Sequence, residues 1–549
     1  MQQSRWIGQG TRQCSRLICQ RRTFHEYFVT HLPSSSLHPD SRSSAGPSLH
    51  RLPRSASQPH SPDPSGASRS PSALPTPGSQ TVGVSRDTTV VRIPLKSAKH
   101  HFGAGVSRGS RPYNEDTYQA GTIEIPAFAK RQPISYTRSK ARENQGAESA
   151  SGDPQVFYFG VFDGHGGSEC SEFLRERLHG YIEEAAEKFG MGSSLRIGQE
   201  EEAENDTVKQ QDALELQRQL VDSWKDTVGG YFKRFRPEYF TSLQKTATPS
   251  RATSSHLSEQ PGSSSAFEAI LTYAFLRADL DFTSAQASKH SPSPSSDDPV
   301  LDDKPLNDND VLSHPSKPAS QNLTHREILR APIGGKTRFK GGSTASIALL
   351  STPTPTPFWN PASPATLVVA HVGDTRILLC RVSDGQAVPL TTNHHPSTPV
   401  EATRLRRYAA TFVTDSFGEE RVLGLANTRA FGDISSKRIG VSAEPEINTV
   451  QLAPSEYSFL VLMSDGVSGT LSDQEIVDIV KEARTPEQAS RDVVNFATEV
   501  SEEADNATAL VVRLGGWERR GEGGVGSLGT KEMRDYRKRD AEDPRARRQ

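Results

Sequence analysis

The chain has 549 residues, Lys+Arg 64 against Asp+Glu 66 for a formal net charge of -2, and only 33% hydrophobic residues. The near-neutral balance argues against nucleic-acid binding driven by overall charge, and no run approaches the roughly 18 consecutive apolar residues of a membrane-spanning helix. Hydrophobic content this low means that part of the chain cannot bury enough surface to offset its ordering entropy, so a folded core with long polar stretches is expected. Cys14, Cys19, Cys170 and Cys380 are too few and too scattered for a disulfide framework or a thiolate zinc site, which suits a reducing compartment.

The N-terminal stretch carries Arg5, Arg12, Arg16, Arg21 and Arg22 with no acidic residue before Glu26. Arg-rich, acid-poor beginnings resemble mitochondrial presequences, so residues 1–33 are expected to be an address for mitochondria, to the matrix or the intermembrane space. Arg21-Arg22-Thr23-Phe24 looks like a site where such presequences are cut. Residues 34–95 are dominated by Ser, Pro, His and Arg and are expected to be a disordered linker. A single large domain is expected over 96–516, with disordered insertions near 129–154, 198–210, 246–264, 288–318 and 351–364. Apolar runs resume after each insertion, and long loops cost little closure entropy. Residues 517–549 read as a disordered, mixed-charge tail.

Within the domain, β-branched and aromatic runs predict strands at 155–163 (QVFYFGVFD), 365–371 (ATLVVAH), 375–382, 458–463 (SFLVLM) and 507–514 (ATALVVRL). Apolar spacing near 3.6 predicts helices at 168–188, 212–235, 266–285, 398–409 and 472–483. The last opens on a Ser472/Glu475 capping pair. Helices falling between hairpin-like strands, rather than alternating with single strands, favour an α+β chain with helices packed on antiparallel sheets. Asp384-Gly385 between two such runs reads as a plain hairpin turn.

The informative pattern is a carboxylate beside glycine where an apolar run stops. Asp163-Gly164-His165-Gly166-Gly167, Gly373-Asp374 and Ser464-Asp465-Gly466 each follow a strand, and Asp505-Asn506 precedes one. Strand ends hold carboxylates rigidly, and several converging at one end of a sandwich would repel one another unless cations lay between them. An all-oxygen donor set suits Mg²⁺ or Mn²⁺.

Seven segments carry a family resemblance: RPYNED (Arg111 to Asp116), FGVFDGHGG (Phe159 to Gly167), GGSTA (Gly341 to Ala345), VAHVGDTR (Val369 to Arg376), LANTRAFGD (Leu425 to Asp433), LVLMSDGV (Leu460 to Val467) and DNATALVV (Asp505 to Val512). In this order they resemble the motif series of the metal-dependent protein serine/threonine phosphatases of type 2C, here a mitochondrial, fungal-type member. The resemblance spans about Phe102 to Leu514 and implies a β-sandwich of two antiparallel sheets between helix layers, αββα. It implies hydrolysis of phosphoserine and phosphothreonine in phosphorylated protein substrates by a hydroxide between two Mg²⁺ or Mn²⁺ ions, with a weaker third ion; a monomer is expected, and charge and hydropathy speak against a nucleic-acid partner and a membrane span. Carried over, it gives Asp163 both metals, the Gly164 carbonyl one of them, and Asp465 and Asp505 the other. Glu115 and Asp116 act through bound water, and Asp374 serves the third ion. Arg111 would fork onto the phosphate, His165 would protonate the leaving oxygen, and Asp433 would support the site without binding metal directly. Cys170 reads as a buried, inert thiol.

Three departures stand out. Ser468-Gly469 replaces the family's usual Trp-Asp, Asn393-His394-His395-Pro396 stands where an Asp-His pair is common, and Thr375 replaces a Ser. None removes a residue of the carried-over ligand set. A catalytically impaired relative acting as a phosphoprotein-binding module is the alternative that Ser468-Gly469 raises, and a nuclease using two metals is a second. Gly334-Gly335-Lys336-Thr337 resembles a phosphate-binding loop, but Arg330 stands where its first glycine is required.

Overall fold

The computed structural model describes residues 27–33, 57–58, 88–94, 98, 100–130, 153–195, 203–240, 264–289, 332–354, 356–406, 412–414, 420–422, 425–521 and 528–542. Two antiparallel sheets form the centre. The first runs in the order β14 (Glu446–Leu452), β8 (Ala365–Val372), β7 (Gly342–Ser351), β6 (Val156–His165) and β5 (Thr117–Ile123), with the two-residue β13 (Phe431–Gly432) pairing to β7. The second runs β10 (Ala387–Pro389), β9 (Arg376–Arg381), β15 (Tyr457–Met463), β16 (Ala507–Arg513) and β4 (Phe102–Ser107).

Period-2 alternation decides which side chains fill which layer. Phe157, Phe159 and Val161 of β6 meet Leu460, Leu462, Leu510 and Val512 of the other sheet in the core between the sheets. Tyr158 and Phe162, one residue out of phase, face the helices α1 (Glu169–Lys188), α2 (Ala203–Thr227) and α3 (Ser264–Ala287). On the opposite side, Phe459, Val461 and Met463 pack on α6 (Asp473–Glu482) and α7 (Pro486–Val500). The result is the four-layer αββα arrangement. Helix α7 lies so close to β4 that a Cβ on Gly103 would strike Pro486 O, and one on Gly105 would strike Ser490 O, so backbone meets backbone there.

Several boundaries differ from the sequence-based expectation. The helix expected over 212–235 is α2 plus a 3-10 turn at Gly230–Arg234, because Gly229 (φ 71) and Gly230 (φ 50) take the left-handed region and end α2. Helix α2 also begins at Ala203, inside the insertion expected at 198–210. The described residues of the insertion expected at 351–364 pack on the domain: Phe358 is buried against Phe157 and Phe159, and Trp359 stacks on His101. Two aromatic side chains supply the apolar anchor that composition averaged over the Thr-Pro repeats conceals. The tail expected to be disordered carries a helix, α8 (Leu528–Glu542), whose Arg534 and Arg537 pair with Glu482 and Glu475 of α6.

Of the expected presequence, β1 (Tyr27–Pro33) pairs antiparallel with β3 (Thr88–Pro94). The latter falls in the expected linker and also takes β2 (Ser57–Gln58). Residues 1–26 lie outside the described residues, as do 131–152, 241–263 and 290–331, which hold most of three expected insertions. The shorter elements are α4 (Pro399–Arg406), α5 (Asp465–Ser468) and the hairpin of β11 (Phe412–Thr414) with β12 (Glu420–Val422).

Candidate active site

The strand ends converge at one edge of the sandwich. Strand β6 finishes at Asp163-Gly164-His165 beside the start of β7, with His165 in register with Gly342. Asp374 follows β8, Asp465 follows β15, and Asp505 precedes β16. Carboxylate oxygens of Asp163, Asp374 and Asp465 all lie within 4.8 Å of one another. Neutral donors hold them in place: Thr344 Oγ1 (3.0 Å) and Asn427 Nδ2 (2.7 Å) donate to the two oxygens of Asp374, and the Asp465 amide donates to Asp163 Oδ2 (3.3 Å). Burial, then repulsion by Asp465, Asp116 and Asp374, pushes the Asp163 carboxyl well above the ordinary carboxylate range. Asp465 is raised for the same reasons, burial first and then Asp374, Asp505 and Asp116. Three mutually repelling oxygen donors on rigid strand ends fit a hard divalent cation, and they are the residues here that could hold one.

The remaining predicted residues surround this cluster. Asp116 is buried, accepts from Ser464 Oγ (2.7 Å), and leaves its Oδ1 without a hydrogen-bond partner; burial pushes its carboxyl up. Burial also raises Glu115, although His165, the Gly167 amide and Arg111 act against that. Gly164 is packed so tightly that a Cβ would press on Glu115 O and Ser171 Oγ. Asp505 is not in the three-carboxylate group; its Oδ2 accepts from Arg111 Nη2 at 2.8 Å, on a guanidinium side chain 57% exposed. His165 Nε2 meets both oxygens of Asp433, at 2.8 and 2.9 Å, and this pair lifts the imidazole to about 9 against the opposing effect of burial. Cys170 is buried, and burial drives its thiol far upward.

Sequence reasoning missed the residues that hold these groups. Asn506 Oδ1 accepts from the Glu115 amide (2.7 Å) while its Nδ2 donates to Arg108 O and Tyr113 O, fixing the whole Arg108–Glu115 loop on the start of β16. Its place beside Asp505 was the only signal. Thr344 and Asn427 sit inside recognised motifs but carry no charge to draw notice.

The departures find local explanations. Thr375 Oγ1 still reaches Ser346 Oγ at 2.7 Å. His394 Nδ1 accepts from the Gly373 amide (2.9 Å), fixing the turn that carries Asp374. Gly469 closes α5 by donating to Asp465 O (2.6 Å), and the Arg537 guanidinium from α8 reaches Thr470 O (2.8 Å). His371, His394 and Glu446 form a second group that could hold a metal, yet its nitrogens are already committed to Ser346, Thr392 O, the Gly373 amide and Glu446.

A protein phosphatase 2C family profile matches residues 302–506. Protein phosphatase 2C homolog 4 of Schizosaccharomyces pombe is 31% identical over 431 residues, covering 78% of this chain and 84% of its own length. The mitochondrial protein phosphatase 1K of Xenopus laevis is 38% identical over 177 residues, 32% of this chain and 44% of its own. Among solved structures, the serine-threonine phosphatase 2C of Toxoplasma gondii covers 76% of this chain and 95% of its own, at 15% identity and TM-score 0.41. With the fission-yeast relative aligned along most of both chains, the chain belongs to the protein phosphatase 2C family of metal-dependent protein serine/threonine phosphatases.

Proposed function

We propose that the chain hydrolyses phosphoserine and phosphothreonine on proteins with two Mg²⁺ or Mn²⁺ ions held by Asp163, the Gly164 carbonyl, Asp465 and Asp505, a weaker third by Asp374, and Glu115 and Asp116 acting through water. The observation that carries this reading is the meeting of three carboxylates from three strand ends within 4.8 Å, beside a half-exposed His165 held by the buried Asp433. Bound divalent ions supply a water nucleophile that is deprotonated near neutral pH and neutralise charge on the phosphoryl group.

The chain's own residues supply the rest. Arg111 is exposed and, among the described residues, its guanidinium is hydrogen-bonded to Asp505, so its planar fork can turn to the phosphate oxygens, which suit bidentate pairing. Asp433 holds His165 through Nε2 and favours the protonated ring, so the other nitrogen, Nδ1, is the atom that gives its proton to the departing serine or threonine oxygen. Asp116, with one oxygen unpartnered, orients water at the cluster's rim.

The Arg-rich residues before Glu26 and the mitochondrial frog relative support a mitochondrial location. A cut near Arg22 would leave β1 intact. Import of the full chain into isolated mitochondria, with the N-terminus of the processed form sequenced, tests this. The chain is read as a monomer, which sedimentation tests.

The decisive experiment is Mn²⁺- and Mg²⁺-dependent phosphate release from a phosphothreonine peptide by the full chain. Asp465→Asn is expected to lower it by more than about a hundredfold, since changes outside the ligand set alone cost about 10- to 100-fold. Absence of release from folded wild-type protein would overturn the reading and leave a binding module.

A further inference from the structure

Asp433 is an unusual residue to hold a catalytic imidazole. It is nearly wholly buried, and its φ of 45° lies in the left-handed region, uncommon for a non-glycine residue although Asp enters it more readily than most. Its amide is tied to Gly341 O at 3.0 Å, which accounts for one end of the turn. The other end is tied by an ion pair. Lys437, in the 3-10 turn Ile434–Ile439, and Asp279, on α3, are both 0% exposed and meet at 2.6 Å between Nζ and Oδ2. Lys437 Nζ also donates to Ala430 O (2.7 Å), and Asp279 Oδ1 accepts from the Gly432 amide (2.9 Å). The two charges thus grip the backbone at Ala430 and Gly432, immediately before Asp433.

We propose that the buried Lys437–Asp279 pair is a positioning device for the leaving-group acid, setting the backbone that presents Asp433 to His165 Nε2. This rests on the reading of His165 as that acid. Stability alone is a poor reason for such a pair, because apolar residues of similar volume usually serve a core as well or better. What an apolar pair cannot do is bond Ala430 O and the Gly432 amide together. Proton delivery is sensitive to this placement: a misplacement of about 1 Å can cost about a hundredfold in rate.

The test compares two substrates in full-length protein with Mn²⁺. A phosphothreonine peptide loses an alkoxide that needs a proton, whereas p-nitrophenyl phosphate loses a phenolate that does not. His165→Gln sets the reference, and the ratio of peptide kcat to p-nitrophenyl phosphate kcat should fall about a hundredfold, within the range for a general acid. The double variant Lys437→Met/Asp279→Val stays near the original side-chain shapes, removes both charges together, and should lower the same ratio about tenfold, because the acid is present but displaced.

A double variant that folds and keeps the wild-type ratio, or loses both rates by one factor, overturns the inference while leaving the reading of His165 intact. A wild-type ratio in His165→Gln overturns that reading and this inference with it. Should the double variant fail to fold, Asp279→Asn carries the same comparison. It retains an oxygen for the Gly432 amide and weakens only the Lys437 arm, with an expected fall of about threefold; an unchanged ratio there counts against the proposal.

Discussion

At the scale of single residues, the site is governed by how carboxylates are held. Asp374 spends both oxygens on Thr344 and Asn427, two neutral donors on different elements, so it is aimed without being neutralised. Replacing Asn427 by Leu removes one donor while leaving Asp163, Asp374 and Asp465 in place. Mn²⁺ affinity measured by titration calorimetry is expected to weaken about tenfold, the usual effect of removing a partner that orients a ligand. An unchanged affinity at the weaker site would show that the Asn427 bond does not orient Asp374 for metal.

Among secondary-structure elements, α8 is the least anticipated. Its sequence is charged throughout, yet Thr530 bonds Asp478 (2.8 Å), Arg534 is buried against Glu482 (2.9 Å), and Arg537 pairs with Glu475 (3.0 Å) while reaching Thr470 O. The docking is therefore polar, made by arginine forks on one face of α6 rather than by an apolar stripe. Removing residues 528–549 is expected to lower unfolding free energy by about 1–2 kcal/mol, the combined effect of a few half-buried charged hydrogen bonds. Urea denaturation monitored by circular dichroism checks this, and no change in midpoint would mean that α8 is a passenger. Helix α6 itself needs no such help at its start, where Ser472 and Glu475 form the reciprocal cap expected from their spacing.

For the whole molecule, pH sensitivity follows from histidines that folding keeps neutral. Burial, then repulsion by Arg513 and His100, lowers His101 to about 4, and its ring stacks on Trp359 at 4.6 Å. His371 is pushed down as well, by burial and by His394. Both folded values lie below the unfolded value of 6.5, so the unfolded chain binds more protons between them. Stability from these groups is complete above about pH 6.5 and falls as pH drops toward the folded values, by about 1.4 kcal/mol per pH unit for each histidine. His101→Phe keeps the stacking, removes one titrating group, and should flatten the slope of unfolding free energy against pH between 6 and 5 by that amount. An unaltered slope would show that His101 does not titrate on unfolding.

The sequence by itself determined the sandwich and picked out candidates for the site. Strands such as QVFYFGVFD announce themselves through β-branched and aromatic content, and a carboxylate next to glycine at a strand end carries its chemistry in its own residue type. That pattern picks out Asp163, Asp374, Asp465 and Asp505 with His165 beside the first, whereas Arg111, Glu115, Asp116 and Asp433 enter as candidates only through the family resemblance. Only the tertiary structure decided what holds them. Asn506, Thr344, Asn427, Lys437 and Asp279 act through bonds such as Thr344 to Asp374, 30 positions apart, and Asn506 to Glu115, 391 apart, and a polar side chain gives no local sign of which distant atom it will meet. The same reason explains the misread segments: the packing of the stretch around Phe358 depends on its reaching Phe157, and that of α8 on arginines reaching α6. Composition averages over a segment, whereas order is decided by a few long-range contacts that only the fold brings together.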